Sequence, residues 1–434
     1  MKITRRALLC VGAVLAVAAI GATAAPSVAA PPSTTTPFTT PNTDGCPQKT
    51  LPPTPIDTSE VPAPGQPTPT PLPIPSPPIG GARLGECGVV LPKNAPPAPP
   101  DISATAWLVA DLDTGEVLAA KDPHGRYRPA STIKVLLATL ALRTLNLDKV
   151  VIGTRADADA DGTRVGIGPG GRYTNRQLMQ ALIMASGNDA AHAIAAQLGG
   201  DAVTVAKMND LAKSLRAMDT RTATPSGLDG PGMSTSAYDL AVLFREAMTI
   251  PLFAELIHTE QVDFPGYPAD PSIPGDTDRP GYPIGNDNQL LYNYDGALGG
   301  KTGFTDDARQ TFVAAAQRGG RRLVVTLLKA DVQPVRPWEQ AARLLDYGFA
   351  LPRGAVIGNL PGAVVPQRDQ SGVALAAPPT PGSGSATASS PGSDPSAMPH
   401  TGDRHSGART GLIIGGVLVV AALLLGARRA TRRR

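Results

Sequence analysis

Cysteine is nearly missing from this chain, with three in 434 residues. No Cys-x-x-Cys occurs, and the five histidines (His124, His192, His258, His400, His405) have no metal-ligand spacing. A zinc centre is therefore not expected, and no metal or other cofactor is assigned. Cys10 falls in an apolar N-terminal run. Cys46 and Cys87 remain, a pair that an exported protein could oxidise, although sequence alone leaves open whether they join. A basic surplus is also lacking. The formal charge is +3, but Lys2, Arg5 and Arg6 lead the chain and Arg428, Arg429, Arg432, Arg433 and Arg434 end it. Setting those eight aside leaves −5, which gives no electrostatic footprint for nucleic acid.

Proline is abundant and unevenly spread. Of 46 prolines, 22 lie in residues 31–100 and seven in 366–409. Such stretches favour extended, semi-rigid spacers over a packed core. The expected division is an export signal at 1–30, where Arg5-Arg6 precede an apolar run and small residues, and a proline-rich linker at 31–100. A catalytic domain follows at 101–350 and a second linker at 351–409. A transmembrane segment at 410–427 and a basic cytoplasmic tail at 428–434 complete it. Gly411 to Ala427 carries no charge and as a helix spans about 25 Å; the arginines after it predict a cytoplasmic C-terminus and an extracytoplasmic catalytic domain. Met398-Pro399-His400-Thr401-Gly402 also resembles a sortase signal, so wall attachment stands beside a retained membrane anchor.

Within 101–350 the pattern changes. Ala104–Ala110 and Glu116–Ala120 read as strands joined by a turn at Asp111–Gly115. An apolar run from Val135 to Leu142 reads as a buried helix begun near Pro129. Thr174 and Gln177 stand in capping-box register. Helices are expected near 190–198, 201–218 and 234–247, and residues 262–288 read as surface loop. Thr311–Ala315 and Leu323–Leu328 read as strands around a Gly319-Gly320 turn, followed by an amphipathic helix from Trp338 to Phe349. Strands, then helices, then strands and a final helix predict an α+β fold: an antiparallel sheet flanked by helices, plus a helical lobe.

Three short motifs carry chemistry. Ser131 stands three residues before Lys134, so on a helix the amine reaches the hydroxyl. A serine needs such a base to become a nucleophile, and burial makes a lysine easier to deprotonate. Ser186-Gly187-Asn188 and Lys301-Thr302-Gly303 follow in that order. Ser-x-x-Lys, Ser-x-Asn and Lys-Thr-Gly recur together in acyl-serine enzymes that recognise penicillin.

With Arg128-Pro129-Ala130-Ser131, Ser186-Gly187-Asn188-Asp189-Ala190, Ser226-Gly227-Leu228 and Gly300-Lys301-Thr302-Gly303, residues 101–350 resemble the serine-type D-alanyl-D-alanine carboxypeptidases of peptidase family S11. These are the low-molecular-weight penicillin-binding proteins, here similar to the membrane-anchored actinobacterial kind. The resemblance implies the serine β-lactamase/penicillin-binding-protein fold. It implies removal of the terminal D-alanine from peptidoglycan pentapeptide stems through an acyl-enzyme, which limits cross-linking and is inhibited by β-lactams.

It assigns catalysis to Ser131 as nucleophile, Lys134 as proton acceptor and Ser186 as a proton relay bonded to Lys134. Substrate binding falls to Asn188, Lys301, Thr302, Gly303 and Phe304. Lys301 and Thr302 would meet the terminal carboxylate, Gly303 would leave room for substrate backbone, and the N–H groups of Ser131 and Phe304 would form the oxyanion hole. Asn188 is alternatively a cap of the next helix, and Lys301 a solvated charge on an edge strand. A D,D-endopeptidase is an alternative. A β-lactamase is less favoured, because Glu246, Glu255 and Glu260 lack an E-x-x-L-N context.

Overall fold

A computed structural model describes residues 38–362. The expected export signal, transmembrane segment and basic tail lie outside these residues. Among the described residues no helix is long and apolar enough to cross a membrane.

In chain order the elements are β1 (Val89–Val90), β2 (Ala106–Asp111), β3 (Glu116–Lys121), α1 (Lys134–Thr144), β4 (Val150–Ile152), α2 (Arg155–Ala158), β5 (Arg172–Thr174), α3 (Asn175–Met184), α4 (Asn188–Gln197) and α5 (Asp201–Ser214). They continue as α6 (Ala237–Ala247), α7 (Pro251–His258), β6 (Gln261–Phe264), β7 (Tyr282–Gly285), α8 (Gln289–Asn293), β8 (Ala297–Thr305), β9 (Arg309–Arg318), β10 (Arg321–Ala330), α9 (Pro337–Ala350) and β11 (Gly358–Asn359). The central sheet is antiparallel, in the order β1-β3-β2-β10-β9-β8, with β11 also pairing with β3.

Side chains alternate between the sheet's two faces. Leu108, Ala110, Val313, Ala315, Val324 and Leu328 face a core shared with Leu136 of α1 and Leu240 and Phe244 of α6. Trp107, Val109, Phe312, Ala314, Val325 and Leu327 face a second core closed by Leu344 and Leu345 of α9. Two covered faces, with a helical lobe on one, give the expected α+β architecture. Local signals set several element ends. Thr174 and Gln177 form the capping box of α3, Ser236 caps α6 through Asp239 N, and proline opens α7 and α9.

Three segments differ from expectation. Residues 262–288 contain the β6–β7 ladder, from Gln261↔Gly285 to Phe264↔Tyr282; proline and glycine are dense there, but Phe264 and Ile284 are buried and anchor it. The region expected to begin a linker at 351 still carries β11, which pairs Gly358 with Val117. Most of the proline-rich 31–100 stretch is also laid on the domain instead of extending from it. A Cys46–Cys87 disulfide closes a loop there, with Cα atoms 5.1 Å apart, and β1 adds to the outer side of β3. Proline denies that stretch a ladder of its own, so its carbonyls are satisfied by side chains of the domain.

Candidate active site

The site is assembled around one strained turn. Ala130–Ile133 form a single 3-10 turn, and α1 continues from Lys134. Ala130 has φ 46°, a left-handed conformation that costs a non-glycine residue about 1–3 kcal/mol and persists only where surroundings enforce it. They do. The hydroxyls of Thr311 on β9 and of Thr132 both donate to Pro129 O, at 2.7 and 2.5 Å. Gly303 on β8 lies flat against the turn, where a Cβ would stand 2.8 Å from Ser131 N and 2.9 Å from Thr132 N. Gly227, at φ 92°, presses on the Ala130 carbonyl from another side. The same Cβ would stand closer still to Thr311 Oγ1 on β9, so packing against β9 and the nucleophile's turn calls for glycine at 303 in addition to the expected room for substrate backbone.

Lys134 is fully buried. Its Nζ is 2.7 Å from Ser131 Oγ, 2.6 Å from Asn188 Oδ1 and 2.8 Å from the Ser226 carbonyl. Burial first, then the nearby Lys301 charge, pushes its pKa well below the usual lysine value, against the opposing pull of Asp189 and Asp287. A neutral amine has two N–H donors and one lone pair. Asn188 Oδ1 and Ser226 O take both donors, which leaves the lone pair for the Ser131 hydroxyl.

Asn188 is the first residue of α4 but caps nothing with its side chain; Gly187 is the N-cap. Its amide nitrogen donates to Asp161 O at 2.6 Å, so the side chain bridges a loop to Lys134. In this structure it therefore positions the base, and its amide does not project freely toward a ligand. Asp189 accepts from the backbone N–H groups of Val165 and Ile167 and ties the loop at 165–167 to α4. Ser186 departs from expectation. It makes no side-chain hydrogen bond to Lys134, whose acceptors are Asn188 Oδ1 and the Ser226 carbonyl. Ser186 is nonetheless nearly buried, at φ 59° just past the end of α3. Glycine is usual at such a left-handed terminus, and a serine there carries a cost in strain.

Lys301 lies on β8, the sheet's edge strand, and is not a solvated surface charge: it is 1% exposed. Its Nζ donates to Thr302 O at 2.9 Å. Burial brings its pKa down to about 8, partly offset by Asp287. Thr302 is half-buried, and the Phe304 ring is exposed. Because Gly303 abuts Ser131 N, Phe304 follows directly along β8 beside the nucleophile.

Two contributors escaped the sequence reading. Ser226 acts through its carbonyl, which no side-chain pattern announces. Asp287 sits in the segment read as surface loop, yet its N–H donates to Met184 O at 2.8 Å, and its carboxylate, with pKa raised by burial, feels both Lys301 and Lys134.

A family model described as D-alanyl-D-alanine carboxypeptidase, peptidase S11, matches residues 93–332. The D-alanyl-D-alanine carboxypeptidase DacB2 of Mycobacterium tuberculosis is 48% identical over 275 residues, covering 62% of this chain and 90% of that protein. A crystal structure of a D-alanyl-D-alanine carboxypeptidase from the same organism superposes with TM-score 0.58 at 47% identity, over 62% of this chain and all of the other. The Streptomyces K15 DD-transpeptidase structure gives TM-score 0.54 at 29% identity, over 59% of this chain and all of the other.

Proposed function

The chain belongs to the D-alanyl-D-alanine carboxypeptidase family of serine peptidases, and from that premise we propose a residue-level mechanism for removal of the terminal D-alanine from peptidoglycan stem peptides. Ser131 Oγ attacks the carbonyl between the two D-alanines while Lys134 accepts its proton. The observation that carries this reading is the three-way environment of Lys134: buried, low in pKa, with both N–H groups of its neutral form absorbed by Asn188 and Ser226. A base held in this way needs no reorganisation before it accepts the serine proton.

Negative charge developing on the carbonyl oxygen meets the N–H groups of Ser131 and Phe304, and loss of one such donor typically costs ~10²–10³ in rate. Lys301, protonated, binds the substrate's terminal carboxylate with Thr302 beside it, a charge-assisted pair in a buried setting. The C–N bond then breaks, the leaving D-alanine amine takes the proton that Lys134 accepted from Ser131, with Ser186 at the end of α3 as the expected relay once substrate is bound, and Ser131 is left as an ester that water hydrolyses. A β-lactam carries an equivalent carboxylate and acyl group and would occupy the same positions as an inhibitor. The endopeptidase and β-lactamase alternatives gain no specific support from the site.

Export and surface attachment form part of the proposal. The apolar runs at the two ends, the terminal arginines and the proline-rich flanks support an extracytoplasmic domain with a C-terminal anchor or sortase linkage, and the Cys46–Cys87 disulfide fits an oxidising compartment. Intact mass of the mature protein distinguishes the two attachments. The catalytic assignment is tested by exposing the protein to penicillin and mapping the adduct by peptide mass. The adduct is expected on Ser131, and an adduct elsewhere, or none, contradicts the assignment.

A further inference from the structure

Residues 38–92 precede the family match, yet they are fastened to the eight residues that lead into the nucleophile's turn. Lys121 Nζ donates to Pro41 O. His124 Nε2 lies 3.0 Å from Ile79 O. Arg126 donates from its guanidinium to Thr50 O, Leu72 O and Pro73 O at 2.8, 2.7 and 2.9 Å, and from its backbone to Gln48 O at 2.8 Å. Arg128 pairs through Nε with Glu60. Lys121, Arg126 and Arg128 are all nearly inaccessible. The proline-rich strap supplies acceptors, and the approach to Ser131 supplies the cations.

The last of these contacts is the informative one. Arg128 is 1% exposed, and Glu60 is the one hydrogen-bond partner of its guanidinium among the described residues; Nη1 has none. The same corner holds Asp229, two residues after Gly227, and Asp307, whose carboxylate accepts from Ile56 N at 2.8 Å. The strap between Ile56 and Glu60 therefore bears on the β8–β9 turn as well as on the nucleophile's turn. A buried ion pair gives little net stability over apolar residues of similar size. What it does supply is one defined geometry, and Ala130, two residues on, needs its backbone held in an unfavourable region.

We propose that Glu60 and Arg128 are positioning residues for acylation, the strap acting through them to hold the turn that presents Ser131. The proposal rests on the acyl-serine mechanism above and extends the working site outside the family domain. Neither residue touches substrate. Both fix the Ser131 backbone relative to Lys134 and β8.

The test measures the rate of penicillin acylation, kcat and KM for D-alanine release, and thermal stability, on the full chain. Glu60→Gln is expected to slow acylation and kcat on the order of ten- to hundredfold, the scale for a small misplacement of reacting groups. KM should change little, and every molecule should still be labelled at completion. The double variant Glu60→Met/Arg128→Leu replaces the pair by apolar groups; it is expected to recover thermal stability but not the acylation rate. Recovery of both would show the pair to be merely structural and would overturn the proposal, as would a Glu60→Gln enzyme acylating at the parental rate. Failure of the parent protein to acylate at all would instead overturn the underlying mechanism, and this proposal with it.

Discussion

Two lysines in one buried site need opposite protonation states, and their environments separate them. Lys134 must be neutral to take the Ser131 proton, and burial plus the Lys301 charge depress it. Lys301 must stay charged to bind a carboxylate, and Asp287 limits its fall to about 8. The kcat/KM profile should therefore be bell-shaped. Its descending limb is expected at an apparent pKa near 8, as Lys301 loses its proton. The sign for stability is the reverse. Lys301 binds its proton less tightly folded than unfolded, so from pH about 8 to about 10.4 its contribution to stability rises, and activity lost there is not caused by this group unfolding the protein. Lys301→Met removes a charge-assisted contact worth about 1.5–3 kcal/mol, so KM should rise about tenfold or more. It also removes one cause of the low Lys134 pKa, so the ascending limb should move to higher pH. A profile unchanged on the acid side would contradict the coupling. Asn188→Ala leaves one Lys134 N–H without its acceptor, at a cost of about 1–3 kcal/mol, which a denaturation midpoint would report alongside lowered kcat.

The active site belongs to contacts between elements, and there the sequence was least explicit. Gly303→Ala would drive a Cβ to within 2.8 Å of Ser131 N, so β8 or the nucleophile's turn must move. Activity should fall by about 10², while circular dichroism shows the sheet intact; near-parental kcat would refute the close approach. Thr311→Val keeps the side-chain shape but removes the bond to Pro129 O, and is expected to slow acylation more than it changes stability. The start of α3 was legible because capping is local, with Thr174 and Gln177 three residues apart. The sheet pairing of Thr311–Ala315 with Leu323–Leu328 was legible because Gly319-Gly320 marks the turn. Ser226 O and the backbone role of Gly303 were not, because main-chain chemistry and tertiary approach leave no residue pattern. The motif places Ser186 near Lys134, yet Lys134 bonds Asn188 Oδ1 and Ser226 O instead: motif order fixes neighbourhood, not which acceptor faces an amine.

Across the whole molecule, composition was the poorer guide. A proline-rich stretch reads as a spacer because it cannot pair into sheets or continue helices, yet backbone carbonyls freed from ladders are what Lys121, Arg126 and His124 grasp. The Cys46–Cys87 link closes a separation of 41 residues, for which a stabilisation of about 2–4 kcal/mol is typical. Replacing both cysteines by serine should lower the melting temperature by a matching amount. The catalytic layout, by contrast, was legible from three motifs, since each residue's chemistry is specific and their order is fixed by the fold. The most direct measurement is a single-turnover experiment with a peptide ending in D-Ala-D-Ala, following free D-alanine and enzyme mass together. The account predicts one equivalent of D-alanine released with an acyl adduct on Ser131, and neither from Ser131→Ala. Release of D-alanine by Ser131→Ala at the parental rate would contradict it.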